Sequence, residues 1–295
     1  MMTMSDASQP MAGKVCLITG ATSGIGEVTA RALAQQGATV CLVGRNAERC
    51  QATAGRIRSA APGALVDFLV ADLSSQEDVR RLAREVRERY PRLDVLVNNA
   101  GALFMSRGES VDGIERTLAL NHLGYFLLTD LLLESLKAAA PARVVNVSSD
   151  AHRMVAGLDF DDLEGRRKYA GMRVYSRSKL ANILFTRELA RRLEGTGVTA
   201  NALHPGVVAT NFGADNGALA KTLRRVCDWF SISAEQGAKT SIHLASSPTV
   251  EGVSGRYFVK CREARPNAAA RDDAAARRLW DISEALTART AGAKA

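Results

Sequence analysis

The chain has 295 residues, 46% of them hydrophobic and 24% charged, which suits a large α/β domain with a substantial core. The longest apolar run, at 127–136, is broken by Asp130 and Glu134 and falls short of the roughly 18 residues that span a bilayer, so no transmembrane segment is expected. The formal charge of +8 lies on arginines spread along helices that also carry acids, as in Arg80-Arg81-Leu82-Ala83-Arg84-Glu85, so nucleic acid is not an expected partner.

Residues 1–12 have neither a basic segment nor an apolar one and read as a disordered leader, not a secretory signal; a cytoplasmic protein is expected. Cys16, Cys41, Cys50, Cys227 and Cys261 are odd in number and irregularly spaced, and Cys16 and Cys41 sit in apolar runs as core residues do. No pair among His122, His152, His204 and His243 has zinc-site spacing, so no metal is expected.

Residues 15–19 form the first predicted strand, followed by a helix over 24–36. Between them runs Thr19-Gly20-Ala21-Thr22-Ser23-Gly24-Ile25-Gly26. Gly20 permits a tight turn, Gly24 lets backbone approach a pyrophosphate, and Gly26 allows close helix packing; Thr22, Ser23 and Ile25 complete the loop. The helix terminus adds free N–H groups, so the segment predicts a dinucleotide site, against the alternative of an ordinary glycine-rich turn.

The second strand, 39–43, ends at Gly44-Arg45. An acid here would bind a ribose hydroxyl, whereas Arg45 offers a cation to a 2′-phosphate, so NADP(H) is expected in preference to NAD(H). The alternative is that Arg45 simply faces solvent. A helix over 47–59 leads to a strand at 64–70, closed by Asp72 and Leu73, which are placed to meet an adenine edge. After a charged helix at 76–90, the strand 93–97 closes on Asn98-Asn99-Ala100-Gly101, where Asn99, Ala100 and Gly101 let backbone lie against the cofactor. A structural loop is the alternative at both places.

A long helix over 111–139 precedes the strand 143–148, which ends in Ser148-Ser149. A further helix over 174–193 carries Tyr175 and Lys179, one turn apart and so on one face. A nearby ammonium favours the phenolate and is expected to lower the pKa of Tyr175. Taken alone, such a pair is more often two solvated side chains than a catalytic one. A strand at 198–203, a helix at 234–245, a strand at 256–259 and a helical extension over 263–295 complete the chain. Continuously apolar strands alternating with helices predict a doubly wound parallel sheet, Rossmann-like, as a single domain over 13–262.

The glycine loop, Asn98-Asn99-Ala100-Gly101, Ser149, Tyr175-x-x-x-Lys179 and Pro205-Gly206, in that order, resemble the short-chain dehydrogenase/reductase family over residues 13–260. Asn121-His122-Leu123-Gly124, the Ala151-His152 pair, Ser178-Lys179-Leu180-Ala181-Asn182 and Leu279-Trp280-Asp281 are similar to its retinol dehydrogenase branch. The resemblance implies hydride transfer between a nicotinamide and a carbinol or carbonyl carbon. In it, Tyr175 exchanges the hydroxyl proton, Lys179 lowers its pKa and binds the nicotinamide ribose, and Ser149 orients the substrate oxygen. Asn121 would hold a relay water beside Lys179, while Pro205, Gly206, Val207 and Thr210 would flank the nicotinamide.

The segment 150–174, with Met154, Val155, Leu158, Phe160, Leu163 and Tyr169, is expected to shape the substrate pocket. Leu219, Leu223, Val226 and Phe230 fall at helical spacing as core, lid or membrane contact. A lipophilic, retinoid-like carbonyl or alcohol is the expected substrate, with a quinone or xenobiotic ketone as the alternative and a non-catalytic NADP-binding regulator as the distant one. A homodimer or homotetramer is compatible with the family.

Overall fold

In the computed structural model, which describes residues 9–206 and 232–288, the continuously apolar stretches become the strands of one sheet. These are β1 (Val15–Thr19), β2 (Thr39–Gly44), β3 (Val66–Val70), β4 (Val95–Asn98), β5 (Ala142–Val147), β6 (Val198–His204) and β7 (Tyr257–Val259). They pair in parallel in the order β3-β2-β1-β4-β5-β6-β7. The departure from the expected parallel sheet is at its edge, where β8 (Arg262–Glu263) turns back antiparallel to β7.

The helices are α1 (Gly24–Gln35), α2 (Ala47–Ala60), α3 (Gln76–Arg89), α4 (Arg116–Leu118), α5 (Gly124–Leu131), α6 (Leu133–Ala138), α7 (Gly171–Arg192), α8 (Ala234–Ser246) and α9 (Asp273–Ala288). Strands apolar on both faces need cover on both. Leu33 of α1, Ile57 of α2 and Leu244 of α8 join Ile18, Leu42 and Val97 on one face of the sheet. Leu82 of α3, Phe126 of α5 and Phe185 of α7 join Leu17, Val43 and Val144 on the other.

The helix expected over 111–139 starts late and is interrupted. Gly113 adopts φ +73, Ser110 N–H and Ile114 O close a turn, and Glu109 bridges Glu115, so the backbone before Arg116 is committed to a loop. The buried Glu115 carboxylate then accepts from the N–H groups of Thr117 and Leu118 and starts α4. A π turn, Ala119–Leu123, joins α4 to α5, and Leu132 separates α5 from α6. Such π turns concentrate at functional positions, and this one contains Asn121.

The helical extension is present as α9 and is packed into the main core. Trp280 lies 4.9 Å from the Phe126 ring and 5.9 Å from that of Phe185. Among the described residues no helix is long and apolar enough to cross a membrane, and no group of acids, histidines and cysteines is placed to hold a metal. β1 is flanked by β2 and β4, so the chain winds away from it in both directions. This switch point opens a crevice beyond the carboxyl ends of β1 and β4, where such sheets bind ligands.

Candidate active site

At that crevice the buried hydroxyl of Thr19 accepts from Asn99 N at 2.8 Å and Ala100 N at 3.1 Å, and donates to Val97 O. Asn99 Nδ2 answers by donating to Thr19 O at 2.8 Å and Gly20 O at 3.2 Å. The loops after β1 and β4 are thereby one unit. Sequence reasoning passed over Thr19, although a hydroxyl closing an otherwise apolar strand was the signal.

Gly20 has φ +62, and a Cβ there would lie 2.8 Å from Ala100 Cα. A Cβ on Gly26 would press into the Gly20 carbonyl and the Asn99 amide, so the cradle depends on bare backbone at both positions. Gly24 also has positive φ, +57. The side chains of Asn46, Ser75 and Ser233 cap α2, α3 and α8, whereas Ser23 makes no cap bond to α1. The first-turn N–H groups of α1 are therefore left without a side-chain cap from Ser23, with Thr22 and Ile25 beside it in the loop. Cradle and uncapped terminus fit a dinucleotide pyrophosphate.

Arg45 follows β2, is exposed, and has no hydrogen bond or ion pair among the described residues. Asp72 is half-buried and its Oδ1 accepts from Ser74 N and Oγ, which makes it a turn residue as well as a candidate adenine contact. The Leu73 side chain is buried in the core and its carbonyl lies against Gly124, so only backbone is left to meet a ligand. Pro205 and Gly206 end the β6 segment, Gly206 at φ +97. Val207, Thr210 and the apolar residues Leu219, Leu223, Val226 and Phe230 lie outside the described residues.

Tyr175 and Lys179 stand one turn apart on α7, against the end of β5. Lys179 is 3% exposed, and its Nζ donates to Val147 O at 3.1 Å, with the Tyr175 ring centroid 5.6 Å away. Burial lowers its pKa from 10.5 to about 7. Burial pushes the Tyr175 phenol up, and a hydrogen bond with the Ser149 side chain pulls it partly back. The expected lowering of the Tyr175 pKa by Lys179 is therefore overturned in the chain alone. Desolvation dominates both groups, and the amine faces the Val147 carbonyl instead of the phenol.

Ser148 is turned away from this centre, its Oγ donating to Lys179 O at 2.7 Å, while Ser149 is half-buried and faces Tyr175. Asn121 uses both amide hydrogens, on Ala102 O at 2.9 Å and Ser178 Oγ at 3.0 Å, and its Oδ1 accepts from Ala102 N. A point beside Gly101 lies 3.3 Å from Asn121 Oδ1 and 3.4 Å from Lys179 Nζ. The second lone pair of that Oδ1 is the side-chain capacity left for a relay water.

Beneath these groups runs a buried polar ladder. Asn98 Nδ2 donates to Thr129 Oγ1 and Asn146 Oδ1, and Asn146 Nδ2 donates to Thr186 Oγ1, each at 2.9 Å. It ties β4 and β5 to α5 and α7, and breaking one rung would leave a desolvated polar group costing about 1–3 kcal/mol.

The expected substrate segment divides. Val155, Leu158 and Phe160 pack on Leu180, Leu184 and Leu279; Leu163 joins the Ile114 cluster; and Tyr169 donates to Phe104 O at 3.0 Å. They are scaffold because α7 and α9 present apolar faces to them. Met154 remains outside, 66% exposed, with Met105 at 57% and Met172 at 41%.

A second cluster behind Ser149 was not assigned a role by sequence reasoning. His152 Nδ1 donates to Ser149 O at 2.7 Å, His204 Nδ1 accepts from Asp150 N at 3.2 Å, and Tyr257 OH donates to Asp150 Oδ1 at 3.1 Å. Burial lowers the pKa of both histidines. Their separation along the chain hid the cluster; only the fold brings β5, β6 and β7 together.

Comparison with known proteins agrees with this arrangement. The short chain dehydrogenase family model matches residues 14–218. Retinol dehydrogenase 14 of Mus musculus is 47% identical, with 94% of this chain and 86% of that protein covered. Retinol dehydrogenase 12 of Homo sapiens is 44% identical, with coverages of 92% and 85%. A crystal structure of an uncharacterized protein from Mycobacterium Paratuberculosis superposes with a TM-score of 0.77 at 36% identity, covering 96% of this chain and 97% of that one. A Burkholderia cenocepacia short chain dehydrogenase in complex with NADP gives a TM-score of 0.67 at 28% identity, with 89% and 100% covered. With its fold, its glycine cradle and these relatives in agreement, the chain belongs to the short-chain dehydrogenase/reductase family of nicotinamide-dependent oxidoreductases acting on CH–OH and C=O groups, in its retinol dehydrogenase-like part.

Proposed function

We propose that this protein interconverts a lipophilic carbonyl compound, retinoid-like in character, and its alcohol, with NADP(H) as cofactor. The observation that carries the reading is the hydrogen bond between the Ser149 and Tyr175 side chains, with Lys179 one turn further along α7. The loop Gly20–Gly26 and the uncapped end of α1 would hold the pyrophosphate, Arg45 the 2′-phosphate, and Asn99, Ala100, Gly101, Pro205 and Gly206 the remainder. Bound there, the nicotinamide supplies or takes the hydride.

Tyr175 donates its proton to the substrate oxygen during reduction and recovers it during oxidation, and Ser149 orients both hydroxyls. Lys179 becomes a fixed cation only when a bound anion offsets its burial, so cofactor binding and activation of Tyr175 are coupled. Asn121 holds Ala102 on both backbone atoms and keeps the Gly101 segment close to Lys179.

Met172 lies on the helix of Tyr175, Met154 ends the turn after Ser149, and Met105 packs against Gly171. Exposed methionines on segments adjoining Ser149 and Tyr175 suit an apolar substrate of adaptable shape, and the names of the two retinol dehydrogenase relatives point the same way.

The test is NADPH oxidation against retinal, aliphatic aldehydes, cyclic ketones and quinones, with wild type and Tyr175→Phe. Turnover should require the phenol, falling by about 100-fold or more in Tyr175→Phe while NADPH still binds. Unchanged turnover in that variant would remove the acid–base role, and a preference for quinones would replace the retinoid-like substrate.

A further inference from the structure

Ser149 stands at the junction of β5 and a 3-10 turn, Asp150–Met154, and its Oγ accepts from Ala151 N at 3.1 Å. A hydroxyl that also meets Tyr175 has little freedom, so its aim depends on how its own peptide plane is held. That plane is gripped at the Ser149 carbonyl, which accepts from His152 N at 3.1 Å and from His152 Nδ1 at 2.7 Å.

The imidazole has one protonation pattern compatible with its neighbours. A carbonyl cannot donate, so Nδ1 carries the hydrogen. Nε2 receives the N–H of Asn267 at 3.3 Å, so it must be bare. His152 is 0% exposed and lies edge-on to Tyr257 with ring centroids 5.1 Å apart, which leaves the ring no alternative orientation. Asn267 is itself fixed: its Nδ2 donates to His152 O and Val155 O, both at 3.2 Å, and its Oδ1 accepts from Ala270 N at 3.0 Å.

We propose that His152 is a positioning residue for the reaction, a neutral imidazole whose Nδ1–H holds the Ser149 carbonyl and so sets the orientation of Ser149, with the Asn267 N–H fixing its tautomer. This rests on the acid–base reading of Ser149 and Tyr175 given above. Phe in place of His152 would fill the space but leave the Ser149 carbonyl with one donor and the Asn267 N–H with none.

Two amide substitutions separate the bonds. His152→Asn places an amide nitrogen near the position of Nδ1 and can still donate to Ser149 O. His152→Gln reaches the position of Nε2, and its amide oxygen can accept from Asn267 N but cannot serve Ser149. The experiment measures steady-state reduction of decanal by NADPH, together with the Kd for NADPH from fluorescence quenching, for the wild type and the Asn, Gln and Phe variants.

The expected result is kcat within about 3-fold of wild type for His152→Asn and about 10-fold or more below it for His152→Gln and His152→Phe, with NADPH affinity within about 2-fold throughout. If His152→Phe does not fold, the Asn and Gln variants decide between themselves. Equal activity in those two, at any level, overturns the proposal, as does rescue by Gln and not by Asn. A Tyr175→Phe enzyme that still turns over would instead overturn the acid–base reading beneath it, so the two failures are distinguishable.

Discussion

The Nζ of Lys179 donates to the carbonyl of Val147, 3.1 Å away across the boundary between α7 and β5, and this places the amine where, among the described residues, no counter-charge offsets its burial. With a pKa near 7 in the chain alone, the amine is mostly neutral at about pH 8.5. A bound dinucleotide brings negative charge, raises that pKa and makes the amine take up a proton. Uptake should approach one proton per NADPH at about pH 8.5, fall to roughly half near pH 7, and vanish below about pH 6, where Lys179 is already charged. Calorimetry in buffers of different ionisation enthalpy reads this number, and Lys179→Met should remove it. Proton release, or uptake unchanged in Lys179→Met, would contradict the coupling.

Arg45 is exposed and unpaired among the described residues, directly after β2, so its charge is available to a ligand at no cost of breaking an internal contact. Arg45→Asp exchanges attraction for repulsion at a 2′-phosphate while leaving the pyrophosphate cradle intact. The ratio of kcat/KM for NADPH to that for NADH should fall by about 100-fold, a change of roughly 2–3 kcal/mol. An unchanged ratio would leave Arg45 as a solvated residue.

How much of this was legible beforehand follows from where the physical constraints act. Gly20, Gly26, Tyr175 and Lys179 could be located because their roles depend on local spacing: a turn, a close approach, one helical repeat. The strands were visible because burial on both faces keeps them mostly apolar, with Asn98, Asn146 and Asn201 among the exceptions. The burial of Tyr175 and Lys179 was not legible, since spacing shows that two groups are neighbours but not how far both are desolvated. The late start of α4 was hidden because Gly113 and the Glu115 cap outweigh a helical apolar pattern. His152 drew notice only as part of a motif, because its partner Asn267 is remote in the chain and reaches it only through the fold.

Strain is concentrated in the hairpin between β7 and β8, where Lys260 has φ +50 and Cys261 φ +60. Two left-handed residues in succession suit a type I′ turn, which favours Asn-Gly, and non-glycine residues pay about 1–2 kcal/mol each for that conformation. Cys261→Gly keeps the N–H bond to Thr240 Oγ1 and relieves the Cβ clash. Urea unfolding should show a gain of about 0.5–1 kcal/mol, part of the relief being lost to the entropy of the unfolded glycine. A loss of stability would mean that the Cys261 side-chain packing outweighs the strain.

Helix α9 closes the outer face of α5 and α7 through one residue more than any other. Trp280 is 5% exposed, packs on Phe126 and Phe185, carries the Arg192 guanidinium 4.2 Å from its ring centroid, and donates from Nε1 to Glu284 Oε1 at 2.7 Å. The helix is tied down further by Ser283 Oγ on His122 Nε2 at 2.8 Å and by Arg80 on Thr287 O at 2.7 Å. Two copies pairing through the part of α5 and α7 around Phe126 and Phe185 would have to displace this contact. Trp280→Ala should therefore cost about 3–5 kcal/mol in urea unfolding, as removal of a core aromatic does. The ties at Ser283 and Thr287 should keep α9 docked, so turnover of the folded variant should stay within about 3-fold of wild type. A cost below about 1 kcal/mol would show that α9 is a peripheral arm and would return the α5–α7 face to the surfaces available for pairing.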